Sequence, residues 1–311
     1  MLARVCWMFG WALLGLGCLL HGLLRDHHPI GALLFYAMPR PCLVALALVL
    51  AFFPRVSRVG RVLALGFTVA IAVQWLKSSW PPRLFPVEAS AGHHHEGKAA
   101  PEFSLLFWNL CRPSGLDAQA IAMVQELKPD IAAFVEPGSG VGQLLHEYEA
   151  RLPGYQVAWM PRGILWLSKL PSRYRDRGKL DGTGAYARFE VTGVGKPFSM
   201  VVGDVHPDLL RPRTRQLREL LHQAQDGADA IIVGDLNTPL ESVHFDAWRL
   251  HFQNALESRA GQLHETWPCG LPLLSLDQAW VGLDWRIVDV QKLWRLTGSD
   301  HAALFLRLQR R

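Results

Sequence analysis

Val5 to Leu24 is apolar for 20 residues, broken only by His21. At ~1.5 Å per helical residue such a run covers a ~30 Å hydrocarbon core, so it is predicted to cross a membrane. Two more apolar runs follow, 42–53 after the Pro39-Arg40-Pro41 break and 62–76 after Pro54. A third stretch, 30–38, either lies along the interface or extends the second helix. A cleaved secretory signal has a shorter apolar core and a small-residue cleavage site. None of these runs has the polar face of a soluble core helix. Residues 1–76 are therefore expected to form a membrane region with about three transmembrane helices.

Charge is split along the chain. Residues 1–100 hold nine Lys/Arg against three Asp/Glu, whereas the remaining 211 residues hold 23 basic and 24 acidic side chains. The basic pI thus reflects membrane flanks, not a nucleic-acid footprint on a folded domain. Arg55, Arg58 and Arg61 crowd the short second loop, more basic for its length than the loop carrying Arg25 and Arg40. By the excess of positive charge on the cytoplasmic side, that loop and the N-terminus face inward and the C-terminal part faces outward. The expected location is a bacterial-type inner membrane, multi-pass, with the C-terminal domain periplasmic or extracytoplasmic.

Residues 77–101, with Trp80-Pro81-Pro82, Pro86 and His93-His94-His95, read as a solvated linker. Five cysteines at 6, 18, 42, 111 and 269 include no CxxC pair. Cys111 and Cys269 are expected to be two small buried hydrophobes; an extracytoplasmic domain would leave their pairing open.

From Glu102 onward, short apolar runs alternate with turns. Strands are predicted at 103–110, 131–135, 156–160, 164–167, 185–191, 199–205, 230–233, 277–281, 287–290 and 302–308. Helical patterns run from the Asp117 cap to Lys128 and from Arg213 to Gln225, with a shorter one over 243–250. Many strands and few helices, not strictly alternating, imply two packed sheets flanked by helices.

Polar side chains recur at strand ends: Asn109, Glu136, His206, Asp235 with Asn237, Asp277, and Asp300 with His301. Any one could merely satisfy a turn. Their order, and above all Gly234-Asp235-Leu236-Asn237 and Ser299-Asp300-His301 downstream of Glu136, resembles the endonuclease/exonuclease/phosphatase (DNase I-like) superfamily, including bacterial membrane-attached members. The resemblance covers about residues 102–309. It implies a four-layer α/β sandwich over 102–311 with the site at one end of two mixed sheets.

The resemblance also implies roles. Glu136, Asn109 and Asp300 correspond to metal-site residues, with Mg²⁺ expected and Mn²⁺ possible. Hard divalent cations take such oxygen donors. His301 corresponds to the base and Asp277 to the aspartate that fixes its tautomer. Asp235 and Asn237 correspond to the pair that orients the nucleophile or stabilises the phosphate. His206 corresponds to a second histidine that contacts the phosphate or serves as acid. Arg211, Arg213 and Arg215, close after His206, are the better candidates for substrate binding, ahead of a second basic run at Arg173, Arg175, Arg177 and Lys179. The sequence departs from well-known members at Cys111, at Gln278 after Asp277, and at Pro137 after Glu136.

The function implied is a membrane-anchored, metal-dependent phosphoesterase acting on nucleic acid or on a lipid or small-molecule phosphate. The competing reading is a ligand- or partner-binding member of the same fold that has lost catalysis. The completeness of the motif set argues against that.

Overall fold

The computed structural model describes residues 2–54, 57–80, 100–224, 227–259, 261–295 and 298–311. Most of the linker expected over 77–101, with its three histidines, lies outside the described residues, as does Arg55.

Four apolar helices open the chain. Helix α1 (Leu2–Leu19) runs on through a π turn (Leu20–Leu24), giving 23 residues, and α4 (Arg58–Ser79) gives 22; both are long and apolar enough to cross a membrane. Between them α2 (Pro29–Ala37) and α3 (Arg40–Ala51) meet at 62°, one further candidate span if the bent pair is counted together. The break follows from Pro39 and Pro41. Proline lacks the N–H and clashes with the preceding turn, so a helix starts there and does not run through. Of the 26 exposed large hydrophobic side chains among the described residues, 21 fall before residue 81. Outward-facing apolar side chains of that density suit a lipid surroundings, not water.

The rest folds as two six-stranded mixed sheets. The first runs β11-β12-β1-β2-β4-β3, built from β1 (Glu102–Asn109), β2 (Ile131–Val135), β3 (Gln156–Met160), β4 (Ile164–Ser168), β11 (Trp285–Leu293) and β12 (Ala303–Arg310). The second runs β5-β6-β7-β8-β10-β9, built from β5 (Ser172–Leu180), β6 (Gly184–Val191), β7 (Phe198–Asp204), β8 (Ile231–Asp235), β9 (Phe252–Asn254) and β10 (Asp277–Gly282). Each sheet has one parallel pair with a helix in its crossover: α5 (Ala118–Leu127) between β1 and β2, and α7 (Arg213–His222) between β7 and β8. Asp117 caps α5 as expected, accepting from the N–H groups of Gln119 and Ala120 at 2.8 and 3.0 Å. The pattern over 243–250 resolves as two 3₁₀ turns, Val243–Phe245 and Trp248–Leu250.

The sheets bury their inner faces on each other. Phe103, Phe198 and Trp285 form an aromatic trio with ring centroids 5.0–5.2 Å apart, and Trp166 stacks on Phe189 at 4.0 Å. Truncating such a buried Trp to Ala costs about 3–5 kcal/mol. The outer faces are covered as well: Met123 and Val124 of α5 lie on the first sheet, with Tyr148 of α6 (Val141–Arg151), and Leu217 and Leu220 of α7 lie on the second. Central strands covered on both faces read as continuous apolar runs, which is why β1, β2 and β8 stood out in the sequence.

Candidate active site

The C-terminal ends of β1, β2, β7 and β8 and the start of β10 converge at one end of the sandwich. Parallel strands deliver polar side chains from their carboxyl ends into such a crevice. Asp277 is directly opposite Asp235 across β10 and β8, and Asn109 Nδ2 donates to Asp235 Oδ2 across the two sheets at 2.9 Å.

His301 is the centre of the cluster. Its Nδ1 lies 2.8 Å from Asp277 Oδ2, while Nε2 faces Asp235 Oδ2 at 3.9 Å and Asp300 Oδ1 at 3.8 Å. The backbone there is fixed: Ser299 Oγ donates to Asn109 O and accepts from His301 N, and Trp108 Nε1 donates to His301 O. Asp277 N in turn donates to Thr266 Oγ1. Burial opposes the charged imidazolium, but Asp277, Asp235 and Asp300 overcome it and lift His301 to about 10. Asp235 is pushed up to about 6, first by burial and then by the Asp277 charge.

Glu136 stands at the other side. It follows the end of β2 at φ 52°, a left-handed conformation that a non-glycine residue adopts at some cost. The turn after it is shaped by Gly138 (φ 92°), where a Cβ would lie 2.3 Å from Pro113 O, so only glycine fits. Glu136 Oε1 accepts from Arg112, whose side chain is 70% exposed. Burial raises the Glu136 carboxyl above its usual range, with Arg112 opposing. A cavity of about 410 Å³ opens here, lined among others by Arg112, Glu136, Ser139, Arg162 and Asp204.

Asp204 was missed by sequence reasoning. It ends β7 beside Asp235, its register partner, and burial, then Asp235 and Glu136, push its carboxyl well above the usual range. The signal was present. Val202-Gly203-Asp204 and Val233-Gly234-Asp235 run side by side, residue for residue, and lead into Val205-His206 and Leu236-Asn237. A Cβ on Gly234 would lie 2.3 Å from Gly203 O, so the paired glycines let these strands approach. Arg112 was also missed, since a lone arginine after a strand carries no pattern.

Asn237 (φ 45°) turns its amide to Val205 O at 2.8 Å, and its N–H donates to Asp235 Oδ1. Asn109 Oδ1 accepts from Cys111 N at 2.8 Å. Asp300 Oδ2 accepts from Trp267 Nε1 at 2.7 Å. His206 Nδ1 accepts from Asp208 N at 3.2 Å. Arg213 is buried and donates to the carbonyls of His206 and Pro207, so it shapes the His206 loop. Arg211 pairs with Asp208 at 3.4 Å and Arg215 faces Asp181 at 3.9 Å. The basic run Arg173, Arg175, Arg177 and Lys179 forms edge strand β5. Gln278 is buried, bonded to Thr238 O and Ser275 O, a support for the loop after Asn237. Cys111 and Cys269 are both free thiols, Cys111 exposed.

The donor set fits a divalent cation. Glu136 and Asp300 supply carboxylates, and Asp300 Oδ1 is buried with no hydrogen-bond partner, an arrangement a cation would complete. Asp235, Asp277 and His301 could also reach one ion, their ligand atoms lying within 4.8 Å of one another. The His301–Asp277 hydrogen bond favours a proton relay for that trio, because a shared ion would have to displace it.

No functionally curated protein matches the chain in sequence. Solved structures do match in fold. The human Nocturnin catalytic domain with bound sulfate is 17% identical, with TM-score 0.53 over 68% of this chain and 94% of that one. Danio rerio (D. rerio) TDP2 complexed with a single-strand DNA product is 15% identical, with TM-score 0.51 over 67% and 99%. An endonuclease/exonuclease/phosphatase from Bacteroides vulgatus is 13% identical, with TM-score 0.53 over 68% and 99%. Residues 106–301 match the profile described as the Endonuclease/Exonuclease/phosphatase family, from within β1 to His301. The chain belongs to the endonuclease/exonuclease/phosphatase family.

Proposed function

We propose that this chain is a membrane-anchored, divalent-metal-dependent phosphoesterase that hydrolyses a phosphodiester or phosphomonoester with water activated by His301. The observation that carries the reading is the pairing of His301 Nδ1 with buried Asp277 at 2.8 Å, which leaves Nε2 directed at the crevice. Asp277 fixes the tautomer and stabilises the imidazolium once Nε2 has taken the proton from water. Asp235, tied to Asn109, orients that water. Asn237 and His206 would donate hydrogen bonds to the phosphoryl group, and Asp204 stands beside Asp235 with its carboxyl pushed up by burial and by the Asp235 and Glu136 charges. Mg²⁺ or Mn²⁺, held by Glu136 and Asp300 with Asn109 alongside, would neutralise charge on the phosphoryl oxygen. Arg112 and Arg162 in the cavity wall suit an anionic substrate.

Residues 1–76 act as the membrane region and 102–311 as the catalytic domain. Arg25 and Arg40, on the catalytic-domain side, are engaged by Asp246 and Glu241, and Arg58 and Arg61 stand at the other end of α4. This supports a cytoplasmic second loop and an extracytoplasmic catalytic domain in a bacterial-type inner membrane. The test is hydrolysis of bis-p-nitrophenyl phosphate by the full chain in detergent with Mg²⁺, Mn²⁺ or EDTA. EDTA-sensitive turnover that is lost in His301→Ala is expected. A folded chain with no metal-dependent turnover would remove the catalytic reading in favour of a binding role.

A further inference from the structure

The apolar helices are held against the catalytic end of the sandwich by a specific dock. Asp26, in the turn between α1 and α2, is buried and accepts from Tyr36 Oη and Val243 N at 2.9 Å each, and from Ser242 Oγ. Arg25 donates to Glu241 O at 2.7 Å and pairs with Asp246 at 2.8 Å. At the end of α4, Trp75 Nε1 donates to Glu265 Oε1 at 2.6 Å. A buried carboxylate satisfied from three sides defines one orientation, which a flexible tether would not.

The docked segments are those that carry the site. Residues 241–243 lie a few positions beyond Asp235 and Asn237. Glu265 precedes Thr266, which holds Asp277 N, and Trp267, which donates to Asp300. Leu209, on the loop between His206 and Arg213, packs against the cluster that Leu20 forms with Ala32, Phe35 and Tyr36 of α2. The end of α1, the start of α3 and the end of α4 all lie on this side, so the catalytic end sits at the level where the spans leave the bilayer. Two of the few large apolar side chains exposed on the catalytic domain stand on the same loops: Leu210 at 76%, followed by exposed Arg211, and Leu271 at 67%, two residues after Cys269, whose N–H donates to Asp300 O. An exposed leucine beside an arginine at that height suits acyl chains below and phosphates above.

We infer that the substrate is a phosphoester of a membrane lipid, whose headgroup enters the site from the bilayer surface along the 207–212 loop, with Leu210 seated among the acyl chains. The inference rests on the phosphoesterase reading above. A nucleic acid would need a basic groove tracking several phosphates, whereas residues 101–311 carry slightly more acidic than basic side chains.

The experiment uses the full chain in nanodiscs with Mg²⁺. Its substrates are phosphatidylglycerol/phosphatidylethanolamine vesicles, the same vesicles doped with phosphatidic acid, single- and double-stranded DNA, and bis-p-nitrophenyl phosphate. Lipid headgroup or phosphate release is expected to exceed DNA cleavage. Leu210→Ser is expected to lower lipid turnover about tenfold while leaving bis-p-nitrophenyl phosphate hydrolysis unchanged. DNA as the better substrate, or equal lipid turnover in Leu210→Ser, would overturn the inference and leave the phosphoesterase reading standing. Loss of all EDTA-sensitive turnover would instead remove that reading. A measurement independent of activity keeps the placement testable: a fluorophore on Leu210→Cys, in a chain whose other cysteines are alanine, is expected to be quenched by nitroxide-labelled lipids. The same label on Leu283→Cys, in the turn at the far end of β10, is expected to escape quenching. Equal quenching at both positions would overturn the inference.

Discussion

The two sides of the site are built differently. On the His301 side, Asp235, Asp277 and His301 are buried, and each backbone segment is fixed by neighbouring side chains such as Ser299, Thr266 and Trp108. On the Glu136 side, the carboxylate borders an open cavity and its partner Arg112 is largely exposed. A buried relay, held by the His301 Nδ1–Asp277 Oδ2 and Asn109–Asp235 hydrogen bonds, is set before substrate arrives, so its members should act on the rate of the chemical step. An open carboxylate beside a cavity is free to exchange an arginine for an ion or a phosphate. Its members should act on what binds.

His301→Ala should break the enzyme most. Removing a positioned proton acceptor is expected to lower kcat by roughly 10²- to 10⁴-fold with KM little changed, read by steady-state kinetics on bis-p-nitrophenyl phosphate. Asp277→Asn keeps the shape but loses the charge facing the imidazolium. A hydrogen bond to a charged group is worth about 1.5–3 kcal/mol, a loss of roughly 10- to 150-fold in kcat. It also carries a pH signature in metal-free protein. The folded-state value of His301, about 10, lies above its ordinary 6.5. The stability it contributes is therefore fully present below pH 6.5 and is lost as pH rises through about 10. Thermal unfolding in EDTA should show that decline across pH 6.5–10 in the parent and a flatter profile in Asp277→Asn. Equal profiles would mean that Asp277 does not set the charge on His301.

Glu136→Gln sharpens the comparison from the other side. Losing an anionic ligand should weaken apparent metal affinity by at least the roughly 10- to 100-fold that losing an outer partner costs. Activity should then return in part as Mg²⁺ or Mn²⁺ is raised, which no concentration of metal should achieve in His301→Ala. If excess metal restores neither variant, the division between a relay side and a binding side fails.

The same division explains what could be read from the chain. Strands β1 and β8 are apolar runs ending in a polar residue, β2 runs directly into Glu136 and β10 starts on Asp277, so Asn109, Glu136, Asp235 and Asp277 are visible as punctuation. Asp204 is not legible in the sequence because it shares its strand end with His206, and only the register with β8 sets its carboxylate beside Asp235. Strand β5 read as a basic run because an edge strand exposes both its faces, and Arg173, Arg175 and Arg177 need no apolar alternation there. Three-residue β9 is too short to carry a pattern. Helix α6 presents no buried stripe beyond Leu144 and Tyr148. The dock was illegible for a different reason. Asp26 and Ser242 are 216 positions apart, and nothing local marks a loop aspartate as buried.

Arg112→Ala should produce the smallest change. An ion pair with one partner 70% exposed contributes about 0.2–1 kcal/mol. Arg112 neutralises Glu136 where a cation would otherwise do so, and Gly138 holds the turn close enough for the pair to form. Removing the guanidinium takes away a competitor for the carboxylate and, at the same time, one positive charge from the cavity. Metal affinity should therefore rise slightly while KM for an anionic substrate rises by no more than about fivefold, with kcat held. Titration of activity against Mg²⁺ at fixed substrate, and against substrate at saturating Mg²⁺, separates the two effects. A fall in kcat comparable to that of Asp277→Asn would place Arg112 on the reacting phosphate and move the boundary between the two sides of the site toward the cavity.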